Sequence, residues 1–253
     1  MQLTRIIPAL ALTLASNFAF AHGGESRVAI ELESPAKISA GATVVSFQLV
    51  DTKLNKVLAP ADLNVSHEKK LHFIAYDPAL KEFQHVHPEF DGKVWNVDMS
   101  FAVDGNYFVW AQGELSVDSE EFSSFERIQV TGGQPEWPTP VLGDVRSGTL
   151  TGSVATLSNQ KLRAGKMAML TLRFTKSDGS PADITPYLGA FAHVIATPMD
   201  GDSLIHIHPM NGSLPNEGMV HVTFPEAGDY RIWVQFIDAG VLKTVPLSVT
   251  VTK

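Results

Sequence analysis

One feature constrains this chain more than any other: the same pattern occurs in it twice. Pro60-Ala61-Asp62-Leu63 lies over Pro181-Ala182-Asp183-Ile184. At that same offset His72 falls on His193, Ile74 on Ile195, His85 on His206, His87 on His208 and Pro88 on Pro209. After a two-residue insertion, Phe101 matches Phe224, Gly105 matches Gly228, Tyr107 matches Tyr230, Trp110 matches Trp233 and Gln112 matches Gln235. So many matches in register indicate a duplication, and the two copies should share one fold. Between them runs TGGQPEWPTPVLGDVRSG (131–148), a Pro- and Gly-rich linker composition. The reading is a first domain over 22–133, a linker over 134–145 and a second domain over 146–253.

Each copy reads as β-structure. Val97, Met99 and Phe101 alternate with Asp98 and Ser100, and Val220, Val222 and Phe224 alternate with His221 and Thr223. Arg231–Phe236 and Val245–Val251 are further strand-like runs. Asp91-Gly92, Asp104-Gly105, Asp178-Gly179 and Ala227-Gly228 punctuate them as turns. Short strands at this spacing predict an all-β chain of two tandem immunoglobulin-like or cupredoxin-like sandwiches. Gly-(Asn/Asp)-Tyr before a strand suits the tyrosine corner of immunoglobulin-like chains.

Residues 1–21 read as a cleaved signal peptide. Arg5 supplies the positive start, Ile6–Leu14 a short apolar stretch, and Ala19-Phe20-Ala21 a small-x-small cleavage site. The mature chain would then begin at His22 in the periplasm or outside the cell. The apolar stretch is too short to span a bilayer, and no later run is long enough, so no membrane insertion is expected. The chain has no cysteine. That removes disulfides, thiolate metal sites and a blue-copper centre, which needs a Cys ligand. The net charge of −8 argues against nucleic-acid binding.

The repeat sorts the nine histidines. His72, His85 and His87 match His193, His206 and His208, whereas His22, His67 and His221 have no counterpart. His-x-His on a strand puts both imidazoles on one face. The following Pro favours a strand end, where a site can open to solvent. His72 and His193 sit in runs (LHFIAY, AHVIAT) that read as adjacent strands, which would bring a third imidazole to each pair. Three neutral imidazoles suit Cu(II), Zn or Ni. Each domain is therefore expected to hold one ion. Met199 and Met210 are candidate soft ligands in the second domain, where the first has Pro78 and Glu89 with Asp77 nearby. His22, at a free N-terminus, could offer amine and ring to one metal. Trp110 and Trp233 read as fillers of their own sandwiches, Gln112 and Gln235 as groups able to orient a ligand imidazole, and His67 and His221 as solvated.

Leu188-Gly189-Ala190-x-Ala192-His193-Val194, then His206-Ile207-His208-Pro209, then Gly228-Asp229-Tyr230-Arg231-x-Trp233-x-Gln235-Phe236 together resemble secreted bacterial β-sandwich modules associated with copper and heavy-metal handling. The resemblance covers most of the second domain and, more loosely, the first. It implies an exported protein that buffers, carries or senses metal, with copper first and zinc second. Its expected partners are the ion and a metal-efflux or metalloenzyme-assembly protein. Two rivals stand beside it. One is a copper- or zinc-dependent enzyme such as a superoxide dismutase-like oxidoreductase, although that family's cysteine pair and zinc-ligand cluster are missing and the sequence carries no Ser-His-Asp or HExxH motif. The other is an adhesion or assembly sandwich whose histidines are structural.

Overall fold

The computed structural model of the chain describes residues 21–22, 26–33, 37–66, 69–187, 189–207 and 209–253. The expected leader, Ala21 apart, lies outside them. No helix among the described residues is long and apolar enough to cross a membrane.

Each copy forms two facing sheets. In the first, the order Lys37–Ser39, Glu121–Thr131, Gly105–Glu114, Leu71–Tyr76, Phe83–Val86 faces the order Val28–Leu32, Gly41–Asp51, Trp95–Phe101, Glu89–Phe90. In the second, Leu162–Arg163, Val241–Thr252, Gly228–Asp238, His193–Pro198, Leu204–Ile207 faces Ser147–Leu150, Ser153–Leu157, Met167–Lys176, Glu217–Thr223, Met210–Asn211. In both, the short edge strand joins the last strand in parallel, Ile38 beside Val130 and Leu162 beside Val251. In immunoglobulin lettering these are A′GFCC′ and ABED sheets, so the tandem is immunoglobulin-like. Tyr230 donates its hydroxyl to the Glu226 carbonyl at 3.2 Å, the corner bond of that fold.

The alternation seen in the sequence fills each sandwich. Val45, Phe47 and Leu49 meet Trp95, Val97, Met99 and Phe101 in the first, and Leu170, Leu172 and Phe174 meet Val220, Val222 and Phe224 in the second. The Leu71–Tyr76 strand does something else: all six of its residues are buried. Leu71, Phe73 and Ala75 face their own core. Ile74 and Tyr76, on the opposite face, join a third core made by both domains with Leu80, Phe108, Trp110, Ile195, Leu204 and Trp233. The two tryptophans therefore fill the seam between the sandwiches and not, as expected, the sandwiches themselves. Their side chains point out of the A′GFCC′ sheets, and the two outward faces are pressed together.

Polar contacts fix how the seam closes. Trp110 donates to the Tyr76 hydroxyl at 2.8 Å, which donates to the Gly201 carbonyl of the other domain at 2.9 Å. Gly201 has φ +72°, and a Cβ there would stand 2.8 Å from the Phe108 ring, so glycine is required on both counts. Arg127 lies over Phe108 and Phe125 and reaches Asp202 across the seam at 2.7 Å.

Trp233 is 1% exposed, stacks on Phe83 and lies tilted against Tyr76 of the first domain. Trp233→Ala is expected to remove about 3–5 kcal/mol from the seam while both sandwich cores persist. Calorimetry should then resolve two unfolding transitions where the parent shows one, and small-angle scattering should report a larger radius of gyration.

Candidate metal centre

The same two outward faces carry the repeated histidines. On the Leu71–Tyr76 strand His72 precedes Ile74 and Tyr76 by the two-residue period, so it points into the seam. His85 lies opposite Ile74 on the neighbouring strand. That strand ends at Val86, so His87 lies just past it, beside the Pro that cannot continue the ladder. In the second domain His206 likewise lies opposite Ile195 on the neighbouring strand. His72 and His193 each stand opposite a glutamine of their own domain, Gln112 and Gln235.

The imidazoles converge. His72 Nδ1 lies 3.1 Å from His85 Nε2 and 3.3 Å from His87 Nε2, and His193 Nδ1 lies 3.3 Å from His206 Nε2. The two sets are not separate. The His85 ring centroid is 5.3 Å from those of both His193 and His206, and the His72 centroid is 5.4 Å from that of His206. Among the described residues, two groups of three have ligand atoms within 4.8 Å of one another: His72, His85 and His87, and His85, His193 and His206. His85 belongs to both. The first domain's expected set of three comes together, and among the described residues His85 also joins His193 and His206 across the seam.

The outer nitrogens fix the inner ones. His72 Nε2 faces the Ser66 carbonyl at 3.2 Å and His193 Nε2 the Tyr187 carbonyl at 3.0 Å. A carbonyl only accepts, so both nitrogens carry hydrogen and Nδ1 is the basic atom. His85 Nδ1 meets Gln235 Oε1 at 3.0 Å, and His206 Nδ1 meets Gln112 Oε1 at 3.0 Å. Each glutamine turns its Nε2 to a hydroxyl of its own domain, Ser123 at 2.9 Å and Thr244 at 3.0 Å. Each domain's glutamine therefore sets the tautomer of the other domain's histidine. His85 and His206 are left with Nε2 basic, facing the basic Nδ1 of His72 and His193.

With both glutamines in this orientation, basic nitrogens face one another at 3.1–3.3 Å, an arrangement that a cation between them would satisfy. For bonds of about 2.0–2.1 Å, the edge of a tetrahedral site is about 3.3 Å, so these contacts match the edges of a coordination shell. A second arrangement needs no metal. If the Gln235 amide turns end for end, its Nε2 donates to His85 Nδ1, and His85 Nε2–H donates to His72 Nδ1; the Thr244 hydroxyl can serve either orientation. In that arrangement His85 carries its single ring proton on Nε2 in place of Nδ1, so the pair is satisfied without an ion and without moving the backbone.

Burial, followed by the neighbouring imidazoles, holds His85 well below the ordinary histidine range, and the same causes push His87 down to about 3. Both are neutral, and so able to ligate, at neutral pH.

Other candidates are placed as follows. Met199 packs against the seam core. Met210 lies on an edge strand of the other sheet, paired with Met219. Asp77 spends its carboxylate on the backbone amides of Ala79, Lys81 and Glu82, so it is a loop cap. Glu89 is on the outer sheet beside Asn96. The backbone of Ala21–His22 pairs with Leu204–Ile205, extending the edge next to His206. His221, expected in solvent, is half-buried, and its Nε2 is buried. His67 and His208 lie outside the described residues.

A family model described as a domain of unknown function (DUF8832) matches residues 148–253, which is the second sandwich. No curated protein matches the chain. Among solved structures the tandem is similar to a chimeric titin Z1Z2-Z1Z2 tandem (12% identity, 90% of this chain and 100% of that one, TM-score 0.23). It is also similar to the fibronectin(III)-like modules of Clostridium thermocellum CbhA (16%, 88% and 93%, TM-score 0.23). Invasin, a bacterial integrin-binding protein, aligns at 14% identity over 88% of this chain and 39% of that one, with a TM-score of 0.24. The immunoglobulin-like assignment rests on the strand order above.

Two outcomes are expected. Gln235→Ala in the second domain should weaken metal binding through His85 of the first by about 10–100-fold, as removal of a ligand's orienting partner does; competition titration against a chelator measures it. Without metal, His85 and His87 resist protonation in the fold but not in the unfolded chain. Below about pH 6.5 the unfolded state then binds more protons, so stability falls as pH drops toward 3. Urea unfolding of the metal-free protein at pH 7, 6, 5 and 4 should show this decline, and His87→Gln should make it shallower.

Proposed function

We propose that this chain is an exported metal-binding protein that buffers, carries or senses copper at the seam between its two sandwiches, with zinc as the second choice. The observation that carries the reading is the sharing of His85 by two three-histidine groups, in which the outer nitrogens of His72, His85, His193 and His206 face oxygen acceptors outside the cluster. A purely structural histidine needs one partner. With Gln112 and Gln235 accepting from His206 and His85, the basic nitrogens face one another, as a cation site requires.

The donor set is all imidazole, without thiolate. Among divalent first-row ions such a set binds Cu(II) most tightly, and a shell of neutral nitrogens also suits zinc. His85 has one basic nitrogen, because Nδ1 is committed to Gln235. Among the described residues it completes one group of three at a time, so one tightly bound ion is expected at this cluster. Most of the cluster is buried, with His72, His85 and His193 at 5% exposure or less, and the half-buried His87 and His206 form its accessible side. Such a site fits storage or handover better than turnover of a substrate. Handover would be to a metal-efflux or metalloenzyme-assembly protein in the periplasm.

Native mass spectrometry of the protein purified from the exported fraction without an affinity tag tests this. A mass increment of one copper, or of one zinc that copper displaces, is expected, with release as the pH falls below about 6. No bound metal after purification, and no increment after adding Cu(II) or Zn(II), would make the histidines a polar network of the seam. Superoxide or peroxide turnover by the loaded protein would favour an enzyme.

A further inference from the structure

We infer that the outer sheet of the second domain carries a separate methionine–histidine site for a soft monovalent cation, Cu(I) or Ag(I), built from Met169, Met219, Met210 and His221. The chain has seven methionines. Met167, Met169, Met210 and Met219 all belong to the sheet that faces away from the histidine cluster.

The register brings them together. Met169 is directly opposite His221, and Met210 directly opposite Met219. Directly opposed residues share a face of the sheet with Cβ atoms about 4.5–5.5 Å apart. Met219 and His221 are two apart on one strand and so share that face too, as do Met167 and Met169 on theirs. The face is the outer one: Ala168 and Leu170 fill the core, while Met167 is 64%, Met169 54% and Met210 37% exposed.

Two further observations point to a ligand. His221 Nε2 is buried, yet has no hydrogen-bond partner. A buried imidazole nitrogen lacking a polar partner is disfavoured unless something fills the position, and a cation would. The second is the internal repeat. In the first domain the matching pairs are Val44 opposite Asp98 and Glu89 opposite Asn96. The same four places in the same fold carry one valine and three polar or acidic residues, so the sandwich does not need methionine there. Thioether and imidazole donors are soft, and with no thiolate in the chain they are its best match for Cu(I). Long methionine side chains can converge on an ion without moving the strands.

Silver(I), which is redox-silent, added to the full-length protein carrying 13C-methyl methionine is the test. The methyl signals of Met169, Met210 and Met219 should shift with one Ag(I) equivalent, while those of Met99 and Met199 should not. His221→Gln and Met219→Leu should each weaken that binding at least tenfold, with circular dichroism unchanged. Shifts confined to Met199 would place soft ions at the seam and overturn the proposal. So would no methionine shift at all, or shifts insensitive to His221→Gln.

Discussion

Burial of the second face of one sheet in each domain is the constraint on which everything else depends. A sandwich needs only one face of each sheet to be covered. Here Leu71–Tyr76 and Ile195, Leu204 and Trp233 on the opposing sheet bury the other face as well. Closing that seam brings Trp110, Trp233, Tyr76 and Phe108 out of water, each worth about 1.5–3 kcal/mol. The histidines stand one step further along the same strands. They are carried into contact by apolar packing they do not themselves provide. Assembling five imidazoles close together is tolerable because those whose range is shifted are held neutral, and because carbonyl and amide oxygens fix where their protons sit.

The glutamines then tie the chemistry to the assembly. Gln112 and Gln235 pair within their own domains opposite His72 and His193 but orient His206 and His85 of the other domain. A ligand whose orienting group lies across an interface is competent only when the interface is closed. Under the proposed function, metal binding and domain closure would thereby be coupled, and by reciprocity each would strengthen the other. The outer sheet of the second domain stands outside this coupling, since its methionines and His221 face away from the seam.

Much of the fold was legible because the chain states its pattern twice. Period-two runs such as Val220, Val222, Phe224 placed the cores, and Gly-Asp-Tyr placed the corner at Tyr230. The meeting of His72 with His85 and His87, and of His193 with His206, was legible from spacing, and the glutamines from their place in the repeat. What spacing does not encode is which surface meets which. Periodicity assigns Trp110 to a face of its strand but is silent on whether that face meets solvent or another domain, so both tryptophans read as sandwich core. A signal was present: LHFIAY has almost no polar alternation, as expected of a strand covered on both sides. The sharing of His85 had no counterpart in the sequence, because it follows from the angle at which two whole domains meet. Met210 illustrates the same limit, being four residues from His206 in the chain and on the opposite sheet in the fold.

A count of tightly bound ions in variants of the two halves tests the joint cluster most directly. Cu(II) would be titrated, with native mass spectrometry as readout, into the parent, His72→Gln, His193→Gln and His85→Gln. A single cluster predicts one tight equivalent in the parent, weakened by a substitution in either domain and most severely by His85→Gln. Two tight equivalents in the parent, with each single-domain variant keeping one of them at undiminished affinity, would show two independent sites and contradict the account.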